Sequence, residues 1–434
     1  MHTGNPFEPK SSAPSAEVSL PELDKILALH FGANSLSESG FCDQVAARED
    51  LLGRSGLLTQ GSSQRASFFH LSFQEFLAAE QLTRLADGLD KLLQVIFQRA
   101  NMANWRPTLR FLLARRATEK TPEAVLELLE QMLTRIDVDD VRKFTGLTLS
   151  VVDGLEILLD RNLHLQGDAR DQFVNVFLKS IEQNVEVKAR AELALMLGRL
   201  GDPRVSESLV DSNAWVTVSP GTCIYGGKDE KFEIERPFGI SKFPVTNAQF
   251  AAFVTDGYQT ESQWHPAGWA WRSSNNITQP EYWDDSKWNG ATCPVVGVSW
   301  WEADAFCRWA KVRLPAECEW EAVARGPAGL KYPWGNEDRI GLCNSNELGL
   351  SRTSAVGIFP PSVSHCGAHD MAGNVWEWCS DHYDPAEQKD DNAGRVLRGG
   401  SWSNQADDGR SAIRYLRRPD FRSHNFGFRV ARTL

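Results

Sequence analysis

Long apolar runs are missing from this chain. Nowhere do about 18 apolar residues follow one another, the length a helix needs to cross a bilayer, so no membrane span is expected. The opening MHTGNPFEPKSSAPSAE has no apolar core and does not read as a secretory leader. Eight cysteines are scattered at Cys42, Cys223, Cys293, Cys307, Cys318, Cys343, Cys366 and Cys379. None forms CxxC or joins histidines at zinc spacing, which argues against a structural zinc site. A cytoplasmic setting with buried free thiols is the simplest account, one or two disulfides in the second half being left open. Positive charge is in deficit, with 46 Lys and Arg against 57 Asp and Glu. The net charge of −11 argues against a general nucleic-acid binder, whose affinity rests on neutralising phosphates. GxxxxGK[ST], the loop that cradles nucleotide phosphates, is absent, so no nucleotide cofactor and no ATP hydrolysis are expected.

What is present is unevenly spread. The 434 residues suffice for two or three domains. Of the 15 tryptophans only Trp105 precedes Trp215, and the change in composition places a boundary near residue 210. Upstream, LPELDKILALHF, DQVAAREDLLGRSGLL and SFQEFLAAEQLTRL carry apolar residues at helical spacing. LLTQGSSQRASFFHL reads as two short strands around a Gly-Ser turn. Helix, helix, hairpin, helix is a winged-helix pattern, and FFHLSFQEFLAAEQL (Phe68 to Leu82) resembles the segment that follows the nucleotide-binding core in NACHT and related STAND ATPases. VKARAELALMLGRLGDPRV is similar to one HEAT-like repeat, a helix, a Gly-Asp-Pro stop and a second start.

The reading is therefore α+β. Residues 1–18 are a flexible N-terminus, 19–88 winged-helix-like, and 89–210 helical and HEAT-like. Residues 211–434 form a second, loop-rich domain. There, WVTVSPGTCIYGG reads as a strand pair around a Pro-Gly turn. VTNAQFAAFV and SWWEADAFCRWAKV read as helices opened by Thr and Ser caps. In RLPAECEWEAVARG, Glu317, Glu319 and Glu321 complement the dipole at a short helix start. In DMAGNVWEW, Gly373 and Asn374 suit a turn with positive φ, and Trp376 and Trp378 alternate with Glu377 as in a half-buried strand.

Seven motifs carry a family resemblance: FGISKFPVTNAQFAAF (238–253), PVVGVSWWEADAFCRWA (294–310), RLPAECEWEAVARG (313–326), YPWGN (332–336), HDMAGNVWEWCSD (369–381), RVLRGGSW (395–402) and GFRVAR (427–432). Together they resemble the formylglycine-generating-enzyme, or sulfatase-modifying-factor, family. The resemblance implies a C-type-lectin-like fold. It also implies a structural calcium ion held by Asp370, the carbonyls of Gly373 and Val375, and Glu377, two carboxylates and two carbonyls being sound hard-cation chemistry. A second, weaker site would use Asn344 and the carbonyl of Ser345. Enzymes of the family hold copper on two cysteines, whose positions are Asn404 and Gly409 here. An amide offers copper(I) little, so no copper and no catalytic residues are expected. The helical half also lacks the HxxxHxE of the superfamily's iron enzymes, its histidines being His2, His30, His70 and His164. His365, His369, Asp381 and His382 read as loop hydrogen-bonders.

The C-terminal stretch, about 398–430, resembles the variable region of proteins rewritten by bacterial diversity-generating retroelements. That likeness implies a fixed frame and a display set: Ser403, Asn404, Gln405, Asp407, Asp408, Ile413, Tyr415, Leu416, Phe421, Ser423, His424, Asn425 and Phe426. Aromatic residues among small polar ones are the chemistry of binding surfaces. The alternation in SAIRY buries either Ala412 and Arg414 or Ser411, Ile413 and Tyr415. A non-enzymatic binder of a protein or peptide surface is expected, with a partner docking through the helical half. A catalytically divergent oxidoreductase of the same family is the alternative.

Overall fold

The computed structural model describes residues 17–21, 23, 52, 58–60, 65–68, 71–86 and 88–434. The chain divides into two compact units, Met1–Val176 and Phe177–Leu434.

In the first unit the expected hairpin is present as β2 (Leu58–Gln60) and β3 (Arg65–Phe68). A strand where flexible chain was expected, β1 (Glu17–Ser19), completes an antiparallel sheet of order β1-β3-β2. The two helices read before the hairpin lie largely outside the described residues. After the sheet run α1 (Leu71–Leu85), α2 (Leu89–Arg99), α3 (Arg106–Glu119), α4 (Pro122–Leu133) and α5 (Thr145–Leu159). Helix α4 buries Val125, Leu128, Leu129, Met132 and Leu133, a stripe at helical period that packs on α5. On α5, Gly154 admits the Leu129 side chain, and buried Asp153 is held by Arg106 at 2.8 Å and Arg110 at 3.2 Å.

Helix α6 (Gly167–Glu182) crosses the division, and the second unit proper opens with α7 (Val187–Leu200). This is the helix of the HEAT-like string, and the second start read there is not a helix. The chain turns at Gly201, and Asp202 fixes Arg204, which donates to the carbonyl of Gly357. Arg190 of α7 donates to the carbonyl of Ile358 at 2.7 Å. A helix tied in this way serves the loop-rich unit, which thus begins upstream of residue 211.

That unit contains β4 (Trp215–Val218), β5 (Gly221–Tyr225), β6 (Glu230–Ile234) and β7 (Phe238–Ser241), followed by α8 (Asn247–Asp256), α9 (Pro266–Ser274), α10 (Trp300–Trp309) and α11 (Glu317–Arg325). The last strands are β8 (Trp376–His382), β9 (Arg395–Arg398), β10 (Arg414–Arg417), β11 (Phe426–Phe428) and β12 (Ala431–Thr433). Thr246 with Gln249, and Ser299 with Glu302, form the capping boxes that open α8 and α10. The expected β4–β5 hairpin is not formed: β5 pairs with β6, while β4 pairs with β7 in a sheet of order β12-β7-β4. Strands β10, β9, β8 and β11 form a four-stranded sheet in that order, β11 running parallel to β8. Its core is aromatic, with Phe250 stacked on Phe306 at 5.1 Å and Trp301 and Trp378 fully enclosed. Among the described residues no helix is long and apolar enough to cross a membrane.

Candidate ligand-binding face

The segment 398–430 is rooted by four arginines, each paired with a buried glutamate supplied from elsewhere in the unit. Arg398, wholly enclosed, reaches Glu321 and, at 3.4 Å, Glu317. It also donates to the carbonyls of Ser411 (2.8 Å) and Ile413 (3.0 Å). Arg414 grips Glu317 in a two-pronged pair, and the Tyr225 hydroxyl donates to the same carboxylate. Arg422 grips Glu302, which is also the N3 residue of the α10 cap and the acceptor for Tyr258. Arg429 donates to both oxygens of Glu377, at 2.6 and 2.8 Å. Such pairs offset their desolvation through several directional bonds at once, which fixes the loop ends geometrically, although the buried Arg398 Nε has no partner among the described residues. Gly399 and Gly400, at φ 97° and 73°, turn the chain where a side chain on Gly400 would strike the backbone of Asp408 and Gly409.

Between these roots the display set divides. Ser403, Gln405 and Asp407 are exposed, and Leu416 and Phe421 are 43% and 44% exposed. Asp408, Ile413, Tyr415, Ser423, His424 and Asn425 are half-buried. Phe426 is not a display residue: it is 3% exposed, at the start of β11, and packs edge-on against Trp378 at 5.7 Å. Pairing of β11 with β8 turns it inward. Asn404 also serves the frame, its Oδ1 accepting from Trp376 Nε1 at 2.9 Å and from Ser401. Leu416 sits on the face of β10 opposite Tyr415 and Arg417, because side chains alternate along a strand, and it leans over Gly394. Neither alternation read in SAIRY holds cleanly. Ser411 is buried, Ile413 and Tyr415 are half-buried against the core, and Arg414 is drawn to Glu317.

What remains is a face of two aromatic groups joined by the hydrogen bonds of Asn425. Tyr415 stacks on Trp376 at 5.2 Å, and Phe421 lies 5.7 Å from Phe426. Asn425 donates to Ser401 and Ser403 and accepts from Ser423, tying the two ends of the segment together. Beyond them, His424 stacks on Trp288 at 5.2 Å and meets Trp402 at the same distance. Trp402 is half-buried and belongs to this face. Burial, and then Lys287, hold the His424 imidazole below its usual pKa. Tyr282 and Lys287 complete this end over the buried Trp288 ring, from a loop the sequence reading did not single out. The aromatic string YWDDSKWNG was the available signal.

The calcium set does not fit this arrangement. Both side-chain oxygens of Glu377 are taken by Arg429, and Trp320 Nε1 donates to one of them at 2.6 Å. The guanidinium stands where a cation would have to share that carboxylate. Asp370 accepts from the Gly357 amide, and the Gly373 carbonyl accepts from the Val375 amide. At the weaker site Asn344 donates to the carbonyl of Arg352 and to Asn374, leaving its own buried oxygen unpartnered. Among the described residues no three His, Cys, Asp or Glu side chains gather as a metal site.

No reactive thiol lies on the face. Cys223, Cys293, Cys307, Cys318, Cys343, Cys366 and Cys379 are free. Burial pushes Cys293 up to about 11 and Cys318 and Cys343 up to about 12, which keeps them protonated. At the two copper positions stand the internally bonded amide of Asn404 and the buried backbone of Gly409.

The sulfatase-modifying factor enzyme 1-like domain matches residues 203–434, more than half of the chain. The chain belongs to this family. It is 34% identical over 290 residues to inactive C-alpha-formylglycine-generating enzyme 2 of Mus musculus, covering 55% of this chain and 91% of that protein. It is 37% identical over 225 residues to hercynine oxygenase of Mycolicibacterium thermoresistibile, covering 45% of this chain. The chain spans about half (50%) of that relative's length. Treponema denticola variable protein 1, a solved structure 22% identical to this chain, aligns with a TM-score of 0.39 over 51% of this chain and 95% of its own. Within the family, the inward tryptophans and the Arg–Glu roots are this chain's means of holding residues 398–430 in place.

Proposed function

We propose that this chain is a non-enzymatic recognition protein whose ligand binds the face formed by Trp402, Tyr415, Phe421 and His424. The observation that carries this reading is the division within one segment. Its arginine roots are locked to buried glutamates, while aromatic and small polar side chains between them face outward where the family's enzymes place copper. Asn404 and Gly409 leave no thiolate there, and the Mus musculus relative, named as inactive, supports a family domain used without that chemistry. The helical half is read as the part that docks to a partner.

Two experiments test this. Given copper(I), oxygen and a cysteine-bearing peptide, the full chain is expected to leave the peptide mass unchanged. Formation of formylglycine would overturn the reading. The retroelement part rests on the resemblance of residues 398–430 to variable regions. It predicts a second, template copy of this segment near the gene, differing at adenines in the codons for exposed residues. A genome with no such copy ends that part and leaves the binding face standing.

A further inference from the structure

Seven arginines lie between residues 398 and 430. Six have a carboxylate of this chain as partner. Arg398, Arg414, Arg422 and Arg429 hold the glutamates described above, Arg410 meets Asp407 at 2.9 Å, and Arg418 meets Asp420 at 3.3 Å. Arg417 has none among the described residues. Its guanidinium instead lies over the rings of Tyr415 at 4.2 Å and Phe421 at 5.3 Å. The other end of the face repeats this device. The exposed Lys287 ammonium lies 4.7 Å from the Trp288 ring and 6.0 Å from that of Trp402, and it too forms no ion pair among the described residues. A cation resting on rings keeps its full charge while its side chain has already given up conformational freedom. Binding an anion there costs less ordering than at a free surface lysine or arginine.

We propose that the face takes a protein partner through an acidic segment. Its carboxylates pair with Arg417 and Lys287, and its apolar side chains lie on Phe421 and Trp402. This rests on the binding-face reading above and names the chemistry of its ligand. Nucleic acid fits less well. Asp284, Asp285 and Asp407 are exposed in the same loops, and they would repel a continuous run of phosphates while leaving room for discrete carboxylates.

The test presents the full chain to a displayed library of random linear peptides. The recovered peptides are expected to be enriched in Asp and Glu. Arg417→Gln and Lys287→Gln are each expected to weaken a recovered synthetic peptide about 10-fold or more, most at low salt, without moving the melting temperature. A selection that returns no acid-enriched peptides overturns the proposal, as do acidic peptides indifferent to both substitutions. In either case, peptides that still lose affinity on Trp402→Ala or Phe421→Ala preserve the face and reject only its acidic partner. Indifference to those two as well rejects the face. Tighter binding of single-stranded oligo-dT than of any recovered peptide, through the same two cations, also overturns it.

Discussion

Glu377→Ala is expected to destabilise the second unit by about 3–5 kcal/mol, the cost of leaving one member of a buried ion pair without its partner. The abandoned charge is Arg429, which is 0% exposed. Its bonds to the carbonyls of Ser241 and His369 survive the substitution but carry no compensating charge. Trp320 loses its acceptor at the same time. In a unit of this size the unfolding midpoint should fall by roughly 10 °C. Thermal denaturation of the full chain measures it. A loss under about 1 kcal/mol would mean that water reaches Arg429 and that the pair is not enclosed. Replacing both residues by apolar ones of similar volume, Glu377→Leu with Arg429→Met, should recover much of the loss, because neither charge then remains buried.

Arg398→Ala is expected to cost a similar amount, about 3–5 kcal/mol, and to do something Glu377→Ala does not. Arg398 binds the carbonyls of Ser411 and Ile413 as well as Glu321, so its loss releases the chain between β9 and β10. Amide hydrogen exchange should accelerate over residues 410–417 beyond any change elsewhere in the unit. Arg398→Lys should not restore protection, since one ammonium cannot span two carbonyls and a carboxylate with the planar reach of guanidinium. Uniform exchange across the unit would show that the root acts on overall stability and does not hold the display loop.

Much of the architecture was legible in local pattern. Thr246 and Ser299 announced their helices because a capping box is written within four residues. Leu58–Gln60 and Arg65–Phe68 were readable as paired strands because two short β-like runs stand close together in the sequence, and they do pair antiparallel. The same reasoning failed at Pro220–Gly221, where β4 turns away to pair with β7, since strand partners are chosen by burial of whole faces. The alternation in WEW predicted one exposed face, yet Glu377 is as enclosed as the tryptophans beside it. An arginine 52 positions later makes that burial affordable, and no local window contains it.

The candidate face divides along the same line. That residues 404 and 409 are not cysteines is a matter of identity, readable at once, and it carries the argument against copper. That aromatic residues crowd the last 35 positions is equally plain. Which of them meets solvent was not. Phe421 does and Phe426 does not, because the pairing of β11 with β8 turns the Phe426 ring against Trp378. Lys287 joins the face from more than a hundred residues upstream, resting on the buried Trp288 ring that underlies Trp402 and His424. Residue types, caps, turns and family motifs are properties of short windows, and the amino-acid order settles them. The pairing of each arginine with its glutamate and the sidedness of each aromatic depend on long-range packing, where burying a charge or a ring is favourable only once the distant partner has arrived.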